Sequence, residues 1–168
     1  MGELDFENVV FGYSGNALFN GLSASFAKGQ ISCIVGPNGC GKSTLAKLAM
    51  GLIKPASGRV LIQGRNVASL NPRERARRLG VLVQQQEAPM MTVRELAACG
   101  RFPHHGPLSR LDETDAQCID ETLSLAGVYD LRDRPLRSLS GGQRQRARMA
   151  MVLAQDTPVV LLDEPTSF

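Results

Sequence analysis

The segment that most constrains this chain is Gly36-Pro-Asn-Gly-Cys-Gly-Lys-Ser-Thr44, because it stands where one periodicity gives way to another. Ahead of it, Ile31-Ser-Cys-Ile-Val35 is a short apolar run of the kind that fills a strand buried on both faces. Behind it, Lys42 to Met50 reads as a helix that stops near Gly51. Strand, glycine loop and helix in that order give G-x-x-x-x-G-K-[ST] the context the motif requires. Glycines let the backbone curl so that successive N–H groups point at one anion, and the helix N-terminus adds its partial positive charge. Lys42 can bridge β- and γ-phosphates, and Ser43 offers a hydroxyl to Mg²⁺, a cation that prefers oxygen ligands. A functionless glycine-rich turn would not need Lys, Ser and Thr in this register. Gly36, Pro37, Asn38, Gly39, Cys40, Gly41, Lys42, Ser43 and Thr44 are therefore expected to cradle a nucleoside triphosphate.

The same alternation of strand and helix recurs at both ends of the chain. Residues 3 to 13 alternate loosely (Leu4, Phe6, Val9, Phe11) and predict a strand, with a second around Leu22 to Phe26. Arg59 to Ile62, Gly80 to Val83 and Val159 to Leu162 are further strand-like runs. Helices are announced by capping chemistry at Asn71-Pro72-Arg73-Glu74, at the box Thr92-Val-Arg-Glu95, and at Asp112-Glu-Thr-Asp115, which sets an acid at the positive end. From Glu87 to Gln155 only helical patterns occur, and a last helix spans about Gly142 to Ala154. Such alternation implies a parallel sheet with a helical insertion.

Two further motifs carry chemistry. Val159 to Leu162 delivers Asp163 and Glu164 at a strand's C-terminal end, where ligands of open α/β sheets sit. Asp163 would hold the magnesium shell through water, and Glu164 would polarise the water that attacks the γ-phosphate. Alone, an apolar run ending in Asp-Glu is weak; beside a phosphate loop it is strong. Leu139-Ser140-Gly141-Gly142-Gln143 opens the last helix with a hydroxyl and bare backbone amides, a second anion site or, more plainly, a simple N-cap.

In this order, the phosphate loop, Gln84 after a strand, Leu139 to Gln143, and Leu-Leu-Asp163-Glu164-Pro-Thr166 resemble the nucleotide-binding subunit of ABC transporters over all 168 residues. The resemblance implies an α/β P-loop NTPase core, with a mostly parallel sheet and N-terminal antiparallel strands, plus an inserted helical subdomain. Residues 1–86 and 156–168 would form the ATP-binding core and 87–155 the helical subdomain with the signature. It further implies that Tyr13 stacks on adenine, although a plain strand-end tyrosine is the alternative. Gln84, rather than Gln85 or Gln86, would approach the metal and the water. Two subunits would pack head to tail, so that Ser140, Gly141, Gly142 and Gln143 of one meet the γ-phosphate on the other, closing over two ATP molecules with Mg²⁺.

Thr92-Val-Arg-Glu-Leu and Cys99-Gly-Arg101-Phe-Pro-His104-His105 are most similar to the iron-siderophore, haem and cobalamin import group, the ferric-siderophore members above all. A membrane permease and, indirectly, a substrate-binding protein are the implied partners, at the cytoplasmic face of the cell membrane. His104 and His105 are expected to be loop residues facing the permease rather than iron ligands. Family members continue past Pro165-Thr166 with another strand and a switch histidine, so the final core strands are expected to be missing. Ile31 to Val35 and Val159 to Leu162 would then each face a gap in the sheet. A non-catalytic nucleotide-binding fragment is the competing expectation for such a chain.

Composition closes other doors. A formal net charge of +3 without a Lys/Arg stripe argues against a nucleic-acid partner. An ABC-type ATPase of DNA maintenance would carry a coiled coil or zinc insert, and the helical segment here has neither. No apolar run approaches the roughly 20 residues that span a bilayer. The start of the chain lacks the pattern of a secretory signal, so a cytoplasmic location is the default. Four scattered cysteines, Cys33, Cys40, Cys99 and Cys118, show no metal-ligand spacing, and Cys40 alone falls inside the phosphate loop.

Overall fold

The computed structural model describes residues 2–14, 16–82, 88–105 and 110–163. The chain is α/β and divides into two compact units, Met1–Leu79 and Gly80–Phe168.

In the first unit, β1 (Leu4–Tyr13), β2 (Asn16–Phe26), β3 (Ser57–Ile62) and β4 (Arg65–Asn66) form an antiparallel sheet in the order β2-β1-β3-β4. The loose alternation of β1 has a cause. Asn8 takes a left-handed φ of 47°, and the register with β2 shifts between Phe6 and Val9. That bulge inserts one residue, so Leu4, Phe6 and Val9 all reach the core despite their uneven spacing. Gln63 and Gly64, both at positive φ, close the hairpin from β3 to β4. Helix α1 (Lys42–Ala49) buries Leu48 and Ala49, and α2 (Pro72–Ala76) starts from a reciprocal capping box between Asn71 and Glu74.

One expected element does not form. Ile31 to Val35 pairs with no strand among the described residues, and Ile31, Ile34 and Val35 stand exposed. A strand of this composition persists only where neighbours satisfy its N–H and C=O groups and cover both faces. Here no neighbour does either, so the apolar run stays open.

The second unit holds β5 (Leu79–Leu82) and β6 (Val159–Leu162) in a two-stranded sheet. Gly80 N–H donates to Thr157 Oγ1 at one end, and Asp163 N–H donates to the Leu82 carbonyl at the other. Like ends thus meet, and the pair is parallel, as the alternation of elements predicts. Val160 and Leu162 remain 42% and 45% exposed, so one face of β6 is uncovered. Helices α3 (Val93–Cys99), α4 (Glu113–Leu125) and α5 (Gly141–Ala154) pack around Leu96, Ile119, Leu123, Ala147 and Ala150. Each begins at a reciprocal capping box: Thr92 with Glu95, Asp112 with Asp115, Ser140 with Gln143. At Asp112 the sequence promised only a favourable charge. The structure completes the box, because the Asp115 carboxylate reaches back to the Asp112 N–H at 3.0 Å.

Candidate functional site

The phosphate loop lies in the first unit, on the turn into α1. Gly39 and Gly41 take φ of 83° and 102°, a conformation costly for any residue with a Cβ. Gly41 is doubly constrained, since a Cβ there would lie 2.8 Å from the Phe19 ring. As the N-cap of α1, Gly41 offers no side chain, and no side-chain cap bonds the opening turn. Helices α2 to α5 all carry capping boxes, so α1 is distinguished by an opening turn whose N–H groups no side chain caps.

Lys42 turns back into its own loop. Its ammonium donates to the Gly36 carbonyl at 2.7 Å and the Pro37 carbonyl at 3.0 Å, with Cys40 Sγ at 4.0 Å. The loop thus holds a positive charge over its own curl. Asn38, Gly39 and Cys40 are exposed, as is Ser43, whereas Thr44 is buried. The Cys40 side chain folds against Gly36, where a Cβ would meet Sγ at 2.7 Å.

Tyr13 ends β1 beside this loop. Its hydroxyl lies 3.4 Å from Thr44 Oγ1, and its ring meets Phe11 edge-on at 4.9 Å between centroids. Tyr13 is nevertheless 50% exposed beside this loop. The structure therefore brings Tyr13 and residues 36 to 44 together within one unit.

The other expected site residues belong to the second unit. Ser140 Oγ accepts from the Gln143 N–H at 3.3 Å, while Gln143 Oε1 accepts from the Ser140 N–H at 3.0 Å. Ser140, Gly141 and Gly142 are exposed, and a Cβ at either glycine would meet nothing within 4 Å. Neither glycine has a positive φ, so the local fold does not demand them. What they leave is bare backbone at a helix N-terminus, open to approach from outside. Asp163 follows directly on β6, its backbone tied to Leu82. Gln84 and Glu164 lie outside the described residues.

The profile of a family described as "ABC transporter" matches residues 19–167. The chain belongs to the ABC transporter family. Among its relatives, the iron(3+)-hydroxamate import ATP-binding protein FhuC of Bacillus subtilis (strain 168) is 39% identical over all of this chain and 63% of its own length. The ferric enterobactin transport ATP-binding protein FepC of Escherichia coli (strain K12) is 40% identical over 96% of this chain and 60% of its own length. A nucleotide-free ATP-binding cassette from an ABC transporter superposes with a TM-score of 0.84 at 28% identity, over 99% of this chain and 70% of that one. CbiO1 of Clostridium perfringens, part of the ABC transporter complex cbiONQ, gives 0.85 at 29% identity, over 98% and 66%. This ABC family member thus spans about three-fifths of the length of the curated relatives it matches.

Sequence reading placed His104 and His105 as loop residues facing a permease. In the structure both are half-buried, His104 against the end of α5 and His105 against α4. The pairing of Arg101 with Asp115 has no signal in the sequence, because nothing local links the turn after α3 to the first turn of α4.

Proposed function

We propose that this chain is the ATP-binding and signature-bearing part of the ATPase subunit of an importer for iron-siderophore complexes. The observation that carries the reading is the uncapped N-terminus of α1 behind left-handed Gly41, with the Lys42 ammonium held over the loop. The names of FhuC and FepC, an iron(3+)-hydroxamate import and a ferric enterobactin transport ATP-binding protein, support the cargo class. A haem or cobalamin cargo finds less support, since those relatives are named for iron-chelate transport.

The residues fit Mg-ATP. Open N–H groups at the start of α1 suit the β-phosphate, and the exposed Tyr13 suits a planar base. Lys42 would exchange its loop carbonyls for phosphate oxygens, a stronger charge-assisted contact. In this reading Ser43 would offer a hydroxyl and Asp163 a carboxylate to Mg²⁺, a cation that keeps waters and phosphate oxygens around it. Bound there, Mg²⁺ would neutralise charge on the β- and γ-phosphates. Glu164 would polarise the attacking water, and Gln84 would approach the metal and that water. Ser140, Gly141, Gly142 and Gln143 would offer their helix N-terminus to the γ-phosphate bound by a second subunit, packed head to tail.

Residues 1–86 with 156–168 would serve as the ATP-binding core and 87–155 as the helical subdomain. Among the described residues no helix is long and apolar enough to cross a membrane. A separate permease would therefore carry the cargo, with this subunit peripheral on the cytoplasmic face and a substrate-binding protein delivering the chelate.

Nucleotide titration and phosphate release test the reading on the complete subunit. Glu164→Gln is expected to bind Mg-ATP but release phosphate at least about a hundredfold more slowly. Ordinary turnover in that variant would remove Glu164 as the base. Uptake of radioactive iron as a hydroxamate chelate, set against haem, then decides the cargo.

A further inference from the structure

The segment Gly100-Arg101-Phe-Pro-His104-His105 has no part in the phosphate chemistry proposed above. In the structure it grips one thing from three directions, the last turn of α5. A Cβ on Gly100 would lie 2.2 Å from the Met151 carbonyl oxygen and 3.0 Å from Gln155 N, so α3 ends in direct backbone contact with α5. Arg101 donates from one guanidinium nitrogen to the Ala154 carbonyl at 2.9 Å. His104 Nε2 meets the Gln155 carbonyl at 2.8 Å, which requires that nitrogen to carry the proton. Two side-chain donors thus serve carbonyls that every helix leaves unpaired at its C-terminus, and the Arg101 cation suits that end of the dipole.

The grip is itself anchored. Arg101 Nε donates to Asp115 Oδ1 at 2.8 Å, and Asp115 is 1% exposed in the first turn of α4. Asp115 also accepts the Asp112 N–H in the α4 capping box. His105 Nε2 stands 2.7 Å from Asp115 Oδ2, close but not aligned for a hydrogen bond. The end of α3, the start of α4 and the end of α5 therefore converge on one buried carboxylate.

We infer that Arg101, with Asp115 and His104, is a positioning element that sets the pitch of α5 and thereby aims the Ser140–Gln143 terminus at its anion. Helix α5 has 14 residues; at 1.5 Å per residue the clasp lies roughly 20 Å from the signature. A helix held at its far end by polar contacts to two side chains and a backbone crossing has little freedom to tilt. None of these residues touches nucleotide, so the role is orientation and not catalysis. The inference rests on the reading of Ser140 to Gln143 as a phosphate-binding terminus.

Arg101→Lys is the first variant to make, in the complete subunit with its permease. Lysine keeps a cation beside Asp115, but one ammonium cannot reproduce the fork that serves Asp115 and the Ala154 carbonyl together. The expected result is a kcat lowered about tenfold with KM for ATP unchanged. Amide exchange in residues 152–155 should quicken about tenfold. His104→Ala, at a half-buried site that tolerates truncation, should give the same split. His104→Gln, whose amide can still donate to the Gln155 carbonyl, should restore kcat. Unaltered exchange at the end of α5 in both Arg101→Lys and His104→Ala would overturn the clasp. Quicker exchange with wild-type kcat would leave these residues merely stabilising and overturn the positioning role. A Ser140→Ala variant separates the premise: if it turns over normally, the phosphate-binding reading has failed, while the exchange data still decide the clasp.

Discussion

Tyr13 Oη lies 3.4 Å from Thr44 Oγ1, which ties the end of β1 to the first turn of α1 and stands an aromatic ring at the edge of the phosphate loop. A contact of that length between two hydroxyls is weak, so the ring face, more than the hydroxyl, should matter to a ligand. Tyr13→Phe is expected to bind ATP within about twofold of wild type, and Tyr13→Ala about tenfold more weakly, since stacking on a base is worth roughly 1–3 kcal/mol. Titration with a fluorescent ATP analogue reads both. Equal affinity in the alanine variant would make Tyr13 a plain strand-end tyrosine.

Lys42 contributes in a different way. Its ammonium already holds two loop carbonyls, so removing it both loosens the loop and deletes the charge that meets phosphate. Lys42→Ala is expected to weaken ATP binding by about a hundredfold, the loss of one strong charge-assisted contact. Calorimetry on the purified subunit measures it directly.

Two glycines permit a sharper comparison, because the same substitution should act on different properties. At Gly41 an alanine would need φ near 102° and would press on the Phe19 ring. Gly41→Ala should therefore lower stability by about 1–3 kcal/mol as well as binding. At Gly142 a Cβ meets nothing within 4 Å and φ is ordinary, so alanine should leave stability unchanged or raise it by up to about 1 kcal/mol. Phosphate release should nonetheless fall about tenfold, because the added methyl stands where the backbone is left bare for a partner-bound phosphate. Thermal melts and phosphate release on the two variants check both halves.

What was legible in the sequence was what short-range chemistry decides. Gly36 to Thr44 announces its own loop, and Thr92 with Glu95 announces a helix start, because each acts across a few residues. Ile31 to Val35 reads as a strand from its apolar composition, but composition describes only half of a strand; the other half is a neighbour, and among the described residues none pairs with it. The bulge at Asn8 hid behind an irregular alternation for a related reason, its geometry being set by pairing with β2. Arg101 and Asp115 meet across separate helices, 14 residues apart, and only the packed unit reveals that the aspartate is buried. Before that, an arginine after a glycine and an aspartate in a capping position looked unrelated.

Asp115 also makes the acid behaviour of the second unit specific. Burial alone would raise its carboxyl, but the Asp112 N–H, Arg101 and His105 outweigh burial and hold it far below the usual carboxylate range. A group whose folded pKa is depressed stabilises the fold above its unfolded pKa and loses that contribution as pH falls through the folded value. Across mildly acidic pH the Asp115 contribution should therefore persist, and it should fade only below the ordinary range for aspartate. Asp115→Asn breaks a buried ion pair and leaves Arg101 without its counter-charge, at an expected cost of about 3–5 kcal/mol at neutral pH. Because the asparagine cannot titrate, the gap between wild type and variant should narrow as pH drops below that range. Urea unfolding of the two proteins at a series of pH values measures the gap. A gap that stays constant to strongly acid pH would mean that Asp115 titrates alike in the folded and unfolded chain, and the clasp on α5 would then draw no stability from that charge.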